Sequence, residues 1–221
     1  MKFGLDLAFP PTAALAAEMS SLGYTFCICY IGGDGALARD AWHIIDGQRY
    51  PVRDIAPSFP DGFMPTYVPG QDPFGYTAAS GAGDGADANK QTGACGFNAT
   101  SPMFLDIEYA VWTRNPGGVM QYIPEFVRVC NEVGHPVVVY GPTTLVDLLV
   151  PRVGTLVDGV WGADIILTGR NNAPASFWSW ADPAEPPPWS FWQCGSGTIA
   201  GVSVDYDTAT DDAPLAPYAG P

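Results

Sequence analysis

Four acids stand at the ends of apolar, strand-length runs: Asp6, the pair Asp106 and Glu108, and Asp205. Asp106 and Glu108 are two residues apart in Met103-Phe104-Leu105-Asp106-Ile107-Glu108. In an extended strand they share one side, with Cα atoms roughly 6.6 Å apart. A carboxylate set in an apolar strand is costly to ionise without partners. Crowding raises at least one pKa, and a carboxyl that keeps its proton near neutrality can act as a general acid. Glycoside hydrolysis has this requirement: one acid protonates the leaving oxygen, and a second group activates water or stabilises the oxocarbenium-like transition state. Each acid taken singly is also consistent with a helix cap or a turn. A carboxylate metal site is a third reading, but it lacks a neighbouring histidine and the spaced acids of a calcium loop.

Elements that could gather these acids recur along the chain. Phe3 to Leu7 reads as a strand. Thr12 to Leu22 has a helical apolar period, entered after Pro10-Pro11 and stopped by Gly23. Tyr24 to Ile31 is a dense apolar run, as expected of a buried strand. The stretch from Gly32 to Pro60 is ambiguous, and its Gly32-Gly33-Asp34-Gly35 reads as a turn. Phe63 to Val68 reads as a third strand. Gln71 to Thr100 is the least legible part, with a helix expected inside Gly83 to Cys95. Each glycine there weakens that helix by about 1 kcal/mol relative to alanine. Met103 to Tyr109 is a clear strand, Val119 to Glu132 a helix, Pro136 to Tyr140 a strand and Thr143 to Leu149 a helix. A short strand surrounds Val160-Trp161, Ala173 to Pro188 is a Pro/Trp-rich loop, and Trp189 to Cys194 and Ile199 to Asp205 are the last two strands.

About eight strands interleaved with crossovers imply a parallel sheet, open or closed. No glycine-rich phosphate fingerprint follows the first strand, which counts against a nucleotide-binding sheet. In a barrel, the strands' C-terminal ends form one mouth, and closure sets the first strand beside the last, so Asp6 meets Asp205. The expected architecture is a single-domain, TIM-like (β/α) barrel over residues 1–208, with a loose tail over 209–221.

Composition narrows the partners. The formal net charge is −14, with only two lysines, Lys2 and Lys90. Such a chain is not drawn to nucleic acid or to an anionic membrane surface. The N-terminal residues lack the apolar core and cleavage site of a signal peptide, so a cytoplasmic origin is expected. Five scattered cysteines, Cys27, Cys29, Cys95, Cys130 and Cys194, read as free thiols rather than a disulfide framework. His43 and His135 are isolated, and no metal or other cofactor is expected.

The motifs resemble those of the family 25 glycoside hydrolases, the lysozyme-like enzymes. Gly4-Leu5-Asp6 resembles their first-strand Gly-x-Asp, and Phe104-Leu105-Asp106-Ile107-Glu108 their central Asp-x-Glu strand. Val137 to Gly141 is similar to their strand ending in Tyr, and Val160-Trp161-Gly162-Ala163 to their Trp-x-Ala segment. Phe191-Trp192-Gln193, the glycine-rich turn after it and Val204-Asp205 resemble the family's last segments. These matches keep their order over about 200 residues. Gly62 to Val68 and the Ala/Gly-rich stretch before the Asp-x-Glu strand also resemble glycoside-hydrolase-like domains of actinobacterial proteins.

The resemblance implies hydrolysis of the MurNAc–GlcNAc bond of peptidoglycan. Glu108 would be the general acid, Asp106 would position water or the substrate acetamido group, and Asp6 and Asp205 would tune charge and orient substrate. Tyr30, Tyr67, Tyr140 and Trp161 would line the groove; core packing is their alternative role. There are departures: Gln71 to Thr100 matches poorly, Asp164 stands where an aromatic is usual, and no cell-wall-binding repeat is present. The expected partner is bacterial cell-wall glycan. The expected setting is a phage product, either a lysin held in the host cytoplasm until lysis or a virion component among other virion proteins. A non-catalytic sugar-binding or structural virion module on the same barrel is the alternative, and a glycosidase for another wall polysaccharide is a third.

Overall fold

The computed structural model describes residues 1–8, 10–33, 52–177 and 189–215, with the side chains of Arg53 and of 164–167 left out. His43, Asp34, Gly35, most of Gly32 to Pro60 and the second half of the Pro/Trp-rich loop lie outside the described residues. Eight strands close into a barrel in sequence order: β1 Lys2–Leu7, β2 Phe26–Gly32, β3 Gly62–Tyr67, β4 Met103–Asp106, β5 Val137–Gly141, β6 Gly159–Asn171, β7 Phe191–Ile199 and β8 Val202–Ala209. Six described helices accompany them: α1 Ala13–Ser21, α2 Val52–Ile55, α3 Ala78–Cys95, α4 Tyr109–Arg114, α5 Pro116–Val133 and α6 Thr143–Leu149.

Strands β1 to β7 are mutually parallel, as the alternation of elements predicts. The eighth departs from it. Strands β7 and β8 are joined by the tight turn Ala200-Gly201, both at positive φ, so β8 runs antiparallel to β7 and to β1. A two-residue connection can only reverse the chain, whereas a parallel return needs a crossover. The mouth is therefore built from the C-terminal ends of β1 to β7 and the N-terminal part of β8.

Side-chain alternation divides the barrel interior into two levels. Phe104 on β4 meets Phe191 on β7 edge-on at 5.0 Å between ring centroids, and Phe26 on β2 meets Phe191 at 5.9 Å. Contacts between non-neighbouring strands cross the interior, so these rings, with Ile28, Val138 and Trp161, form an apolar plug. Gly4 is part of that design, since a Cβ there would lie 2.1 Å from the Phe26 ring. Two residues further towards the mouth on the same faces stand Asp6, Tyr30, Thr66, Asp106, Tyr140, Gln193 and Asp207.

The larger core lies between barrel and helices, where Leu5, Leu105, Val139, Ile123 and Phe126 are fully buried. α3 starts earlier than its glycines suggest. A Thr77/Ser80 capping box fixes its start, and Gly81 and Gly85 face α5. A Cβ on Gly81 would sit 2.3 Å from the Tyr122 carbonyl oxygen, so the glycines that weaken the helix locally permit its close packing. Residues 210–215, read as the start of a loose tail, are tied to the barrel foot. Thr210 N–H donates to Ser190, Asp211 pairs with the N-terminal ammonium, and Leu215 packs on the plug cluster. No described helix is long and apolar enough to cross a membrane.

Candidate active site

Strand β4 ends at Asp106, although Ile107 N–H still bonds to Tyr140 O on β5 at 3.0 Å. The chain then turns, and Glu108, in extended conformation, occupies the N-cap position of α4 without a side-chain capping bond. Glu108 therefore lies just past the strand rather than within it. The chain still carries it to the same mouth, where its charge raises the pKa of Asp106. The two carboxyls differ in surroundings. Asp106 is 2% exposed, whereas Glu108 is only partly buried. Asp106 accepts a 3.0 Å hydrogen bond from the Tyr30 phenol through Oδ2, while Oδ1 has no partner among the described residues. Burial, followed by the Glu108 charge, pushes its pKa up to about 8, against the pull of the Tyr30 bond. Asp106 thus holds a proton near neutral pH.

A second acid group stands across the mouth on β1 and β8. Asp6 pairs in register with Asp205, and Gly4 with Asp207. Burial raises the pKa of Asp6 well above the ordinary carboxylate range, and the charges of Asp207, Asp205 and Asp106 add to it. Asp205 is less enclosed and is raised by burial alone. Asp207, fully enclosed, is raised by burial and by Asp205, and a 3.0 Å hydrogen bond from Trp161 Nε1 opposes this. Asp6 Oδ1, Asp207 Oδ2 and Thr66 Oγ1 are buried with no partner among the described residues. Unpaired buried acceptors are uncommon in folded proteins and suit a ligand that brings donors.

All four sequence-predicted acids thus reach one end of the barrel. Tyr30 links the two groups: it bonds Asp106, and the Asp6 charge also acts on its phenol. Tyr140 packs on Trp161 with the rings tilted and their centroids 4.5 Å apart, and it donates to Gln193 Oε1 at 3.1 Å. Trp161 itself is buried in the plug, where it orients Asp207 from beneath. Tyr67 stands apart, in the layer between barrel and helices, donating to Asp87 and packing on Phe126. His135 is at the opposite end, bonded to Ser101 O.

Asp207, Thr66 and Tyr76 were not singled out from the sequence, and Gln193 entered only as part of the Phe191-Trp192-Gln193 motif. Asp205-Tyr206-Asp207 repeats the two-residue spacing of Asp106 and Glu108, a signal that reading the strand to its end exposes. Tyr76 lies in the poorly periodic Gln71 to Thr100 stretch. Burial raises its pKa and the charges of Asp106, Asp84 and Glu108 add to that, so its phenol is near the mouth. Among the described residues no three His, Cys, Asp or Glu side chains are placed to hold a metal ion. None of the five cysteines is in a disulfide, and four are buried.

The family model described as "Rv2525c-like, glycoside hydrolase-like domain" matches residues 17–198. No curated protein matches the chain in sequence. Among solved structures, the Mycobacterium tuberculosis Tat-secreted protein Rv2525c in complex with L-tartrate is similar at 15% identity and TM-score 0.63, over 97% of this chain and 98% of that one. The catalytic domain of the endolysin ply40 from bacteriophage P40 of Listeria monocytogenes is similar at 19% identity and TM-score 0.59, over 97% and 95%. The Streptococcus pneumoniae autolysin LytC in complex with a synthetic peptidoglycan ligand is similar at 16% identity and TM-score 0.58, over 93% of this chain and 46% of that one.

Proposed function

The chain belongs to the Rv2525c-like glycoside hydrolase-like family, and on that premise we propose that it is a lysozyme-like glycosidase of the bacterial cell wall, cleaving the MurNAc–GlcNAc bond. One observation carries the reading. A buried carboxyl with a free oxygen, Asp106, stands two residues from a more accessible one, Glu108, at the polar end of a barrel whose other end is plugged. Glu108, the more accessible of the pair, acts as the general acid. Asp106 takes the acetamido group: a substrate N–H at Oδ1 supplies the missing donor and favours the carboxylate form, which then stabilises positive charge at the anomeric centre. Asp6, Asp205 and Asp207 bind substrate hydroxyls. Tyr30 holds Asp106, and Tyr140 and Trp161 support sugar binding from the wall and floor. We place the protein closest in role to the family 25 lysozymes, as a phage lysin or virion-associated hydrolase.

Digestion of purified peptidoglycan, followed by borohydride reduction and mass spectrometry, tests this. Reduced muramic acid at new chain ends supports the proposal. Reduced glucosamine, or no new ends from a folded protein, contradicts it. A second reading is favoured by the raised pKa values of Asp6, Asp106 and Asp207. Asp106, which holds a proton near neutrality, and the buried Asp6 and Asp207 also suit hydrogen bonding to sugars in a non-catalytic binding or virion module. Glycan binding without new chain ends supports that reading.

A further inference from the structure

We propose that the rim beside the acid pair carries an aromatic platform, formed by Phe74 and Tyr109, that binds the glycan strand beyond the cleaved bond. The inference rests on the glycosidase reading for the identity of the ligand, but not for the platform itself. Phe74 is 78% exposed and Tyr109 67% exposed, the two highest values among the exposed large apolar residues described. Most other aromatic side chains described are buried. Apolar side chains left open to water are usually scattered singly, so two aromatics on touching elements beside a candidate site point to a ligand.

Their positions tie them to the mouth. Tyr109 opens α4 directly after Glu108. Phe74 lies in the 3-10 turn Pro73–Gly75 that follows β3, two residues before Tyr76. This turn packs against α4. The Asn115 side chain, at the end of α4, donates to Pro73 O at 2.7 Å. Asp72 caps the turn by accepting from Phe74 N–H at 3.0 Å. The two aromatics are thus held on a braced rim and not on a free loop.

The ring faces suit the apolar faces of pyranose rings, which need no charge from the protein. The local acids exclude anionic partners, and no lysine or arginine precedes Arg114 in the described part of this rim. An uncharged glycan backbone is the ligand chemistry that fits both features. The acids engage the sugars at the cleaved bond, and the platform adds affinity only for strands long enough to extend over it.

Glycan strands freed of stem peptides, with their lactyl carboxyls capped as amides so that the backbone is uncharged, are titrated into Glu108→Gln and into Glu108→Gln with Phe74→Ala and Tyr109→Ala, using calorimetry and two ligands, a long strand and a disaccharide. Both positions are exposed, so the fold should persist, which circular dichroism checks. The expected result is about tenfold weaker binding of the long strand and unchanged disaccharide binding. Equal affinity of the two proteins for the long strand overturns the platform, as does an equal loss for both ligands. Self-association of the parent that the double substitution abolishes also overturns it, assigning the patch to a second copy of this chain. Because binding is read without turnover, a protein that binds long strands through the platform yet releases no sugar fails only as a glycosidase.

Discussion

Replacing Asp106 with asparagine should stabilise the fold at neutral pH while removing a site carboxyl. Asp106 is buried, and its folded-state pKa is raised from 3.8 to about 8. Between these values the folded chain holds a proton that the unfolded chain has released. Stability from this group is therefore greatest below the unfolded pKa, falls as pH rises and levels off above the folded pKa. At pH 7 the ambient pH is about three units above the unfolded pKa, which corresponds to a cost on the order of 4 kcal/mol. Asparagine carries no charge, and its amide oxygen can still accept the Tyr30 hydrogen bond. Its NH2 group replaces an oxygen that has no protein partner, which takes back about 1 to 3 kcal/mol. The net expectation is a gain of about 1 to 3 kcal/mol at pH 7 and no gain at pH 4. Urea unfolding followed by tryptophan fluorescence at both pH values measures this. An asparagine variant that is less stable than wild type at pH 7, or that differs from it equally at both, would refute the raised pKa of Asp106.

Three further outcomes follow from the same geometry. Tyr30→Phe removes the donor to Asp106 Oδ2 and should move the acid limb of any pH–activity profile to higher pH, because that bond opposes the rise in pKa. Trp161→Phe leaves Asp207 Oδ1 without its donor and should cost about 1 to 3 kcal/mol in urea unfolding, with much less lost when Asp207→Ala is already present. Gly4→Ala drives a methyl group into the Phe26 ring and should destabilise by about 1 to 3 kcal/mol, read as a lower Tm; an unchanged Tm would mean that the plug is loosely packed.

Much of the scaffold was legible because the parallel strands are buried on both faces and read as dense apolar runs. Phe26–Gly32 and Val137–Gly141 are examples. The acids were legible because they interrupt such runs. The direction of β8 was not, because apolar runs carry no sign of parallel or antiparallel pairing. The turn Ala200-Gly201 decides it, and only its length and backbone conformation show that. The length of α3 was hidden for a tertiary reason, since Gly81 and Gly85 lower local helix propensity in exchange for contact with α5. Glu108 was read as a strand residue because Ile107 continues the apolar pattern, yet the chain leaves the sheet after Asp106. Tyr67 and Trp161 show the limit for aromatics: their side is set by strand register, which places the first among the helices and the second in the plug. Asp207 was missed because the last strand was ended at Asp205, four residues short of its end at Ala209.

The central claim, a cell-wall glycosidase with Glu108 as its acid, is tested most directly by reducing-sugar release from purified peptidoglycan. Wild type and Glu108→Gln are compared across several pH values, each shown to be folded. The account predicts release by wild type and a loss of at least a hundredfold in the glutamine variant. No release by folded wild type at any pH, or equal release by both proteins, would contradict it.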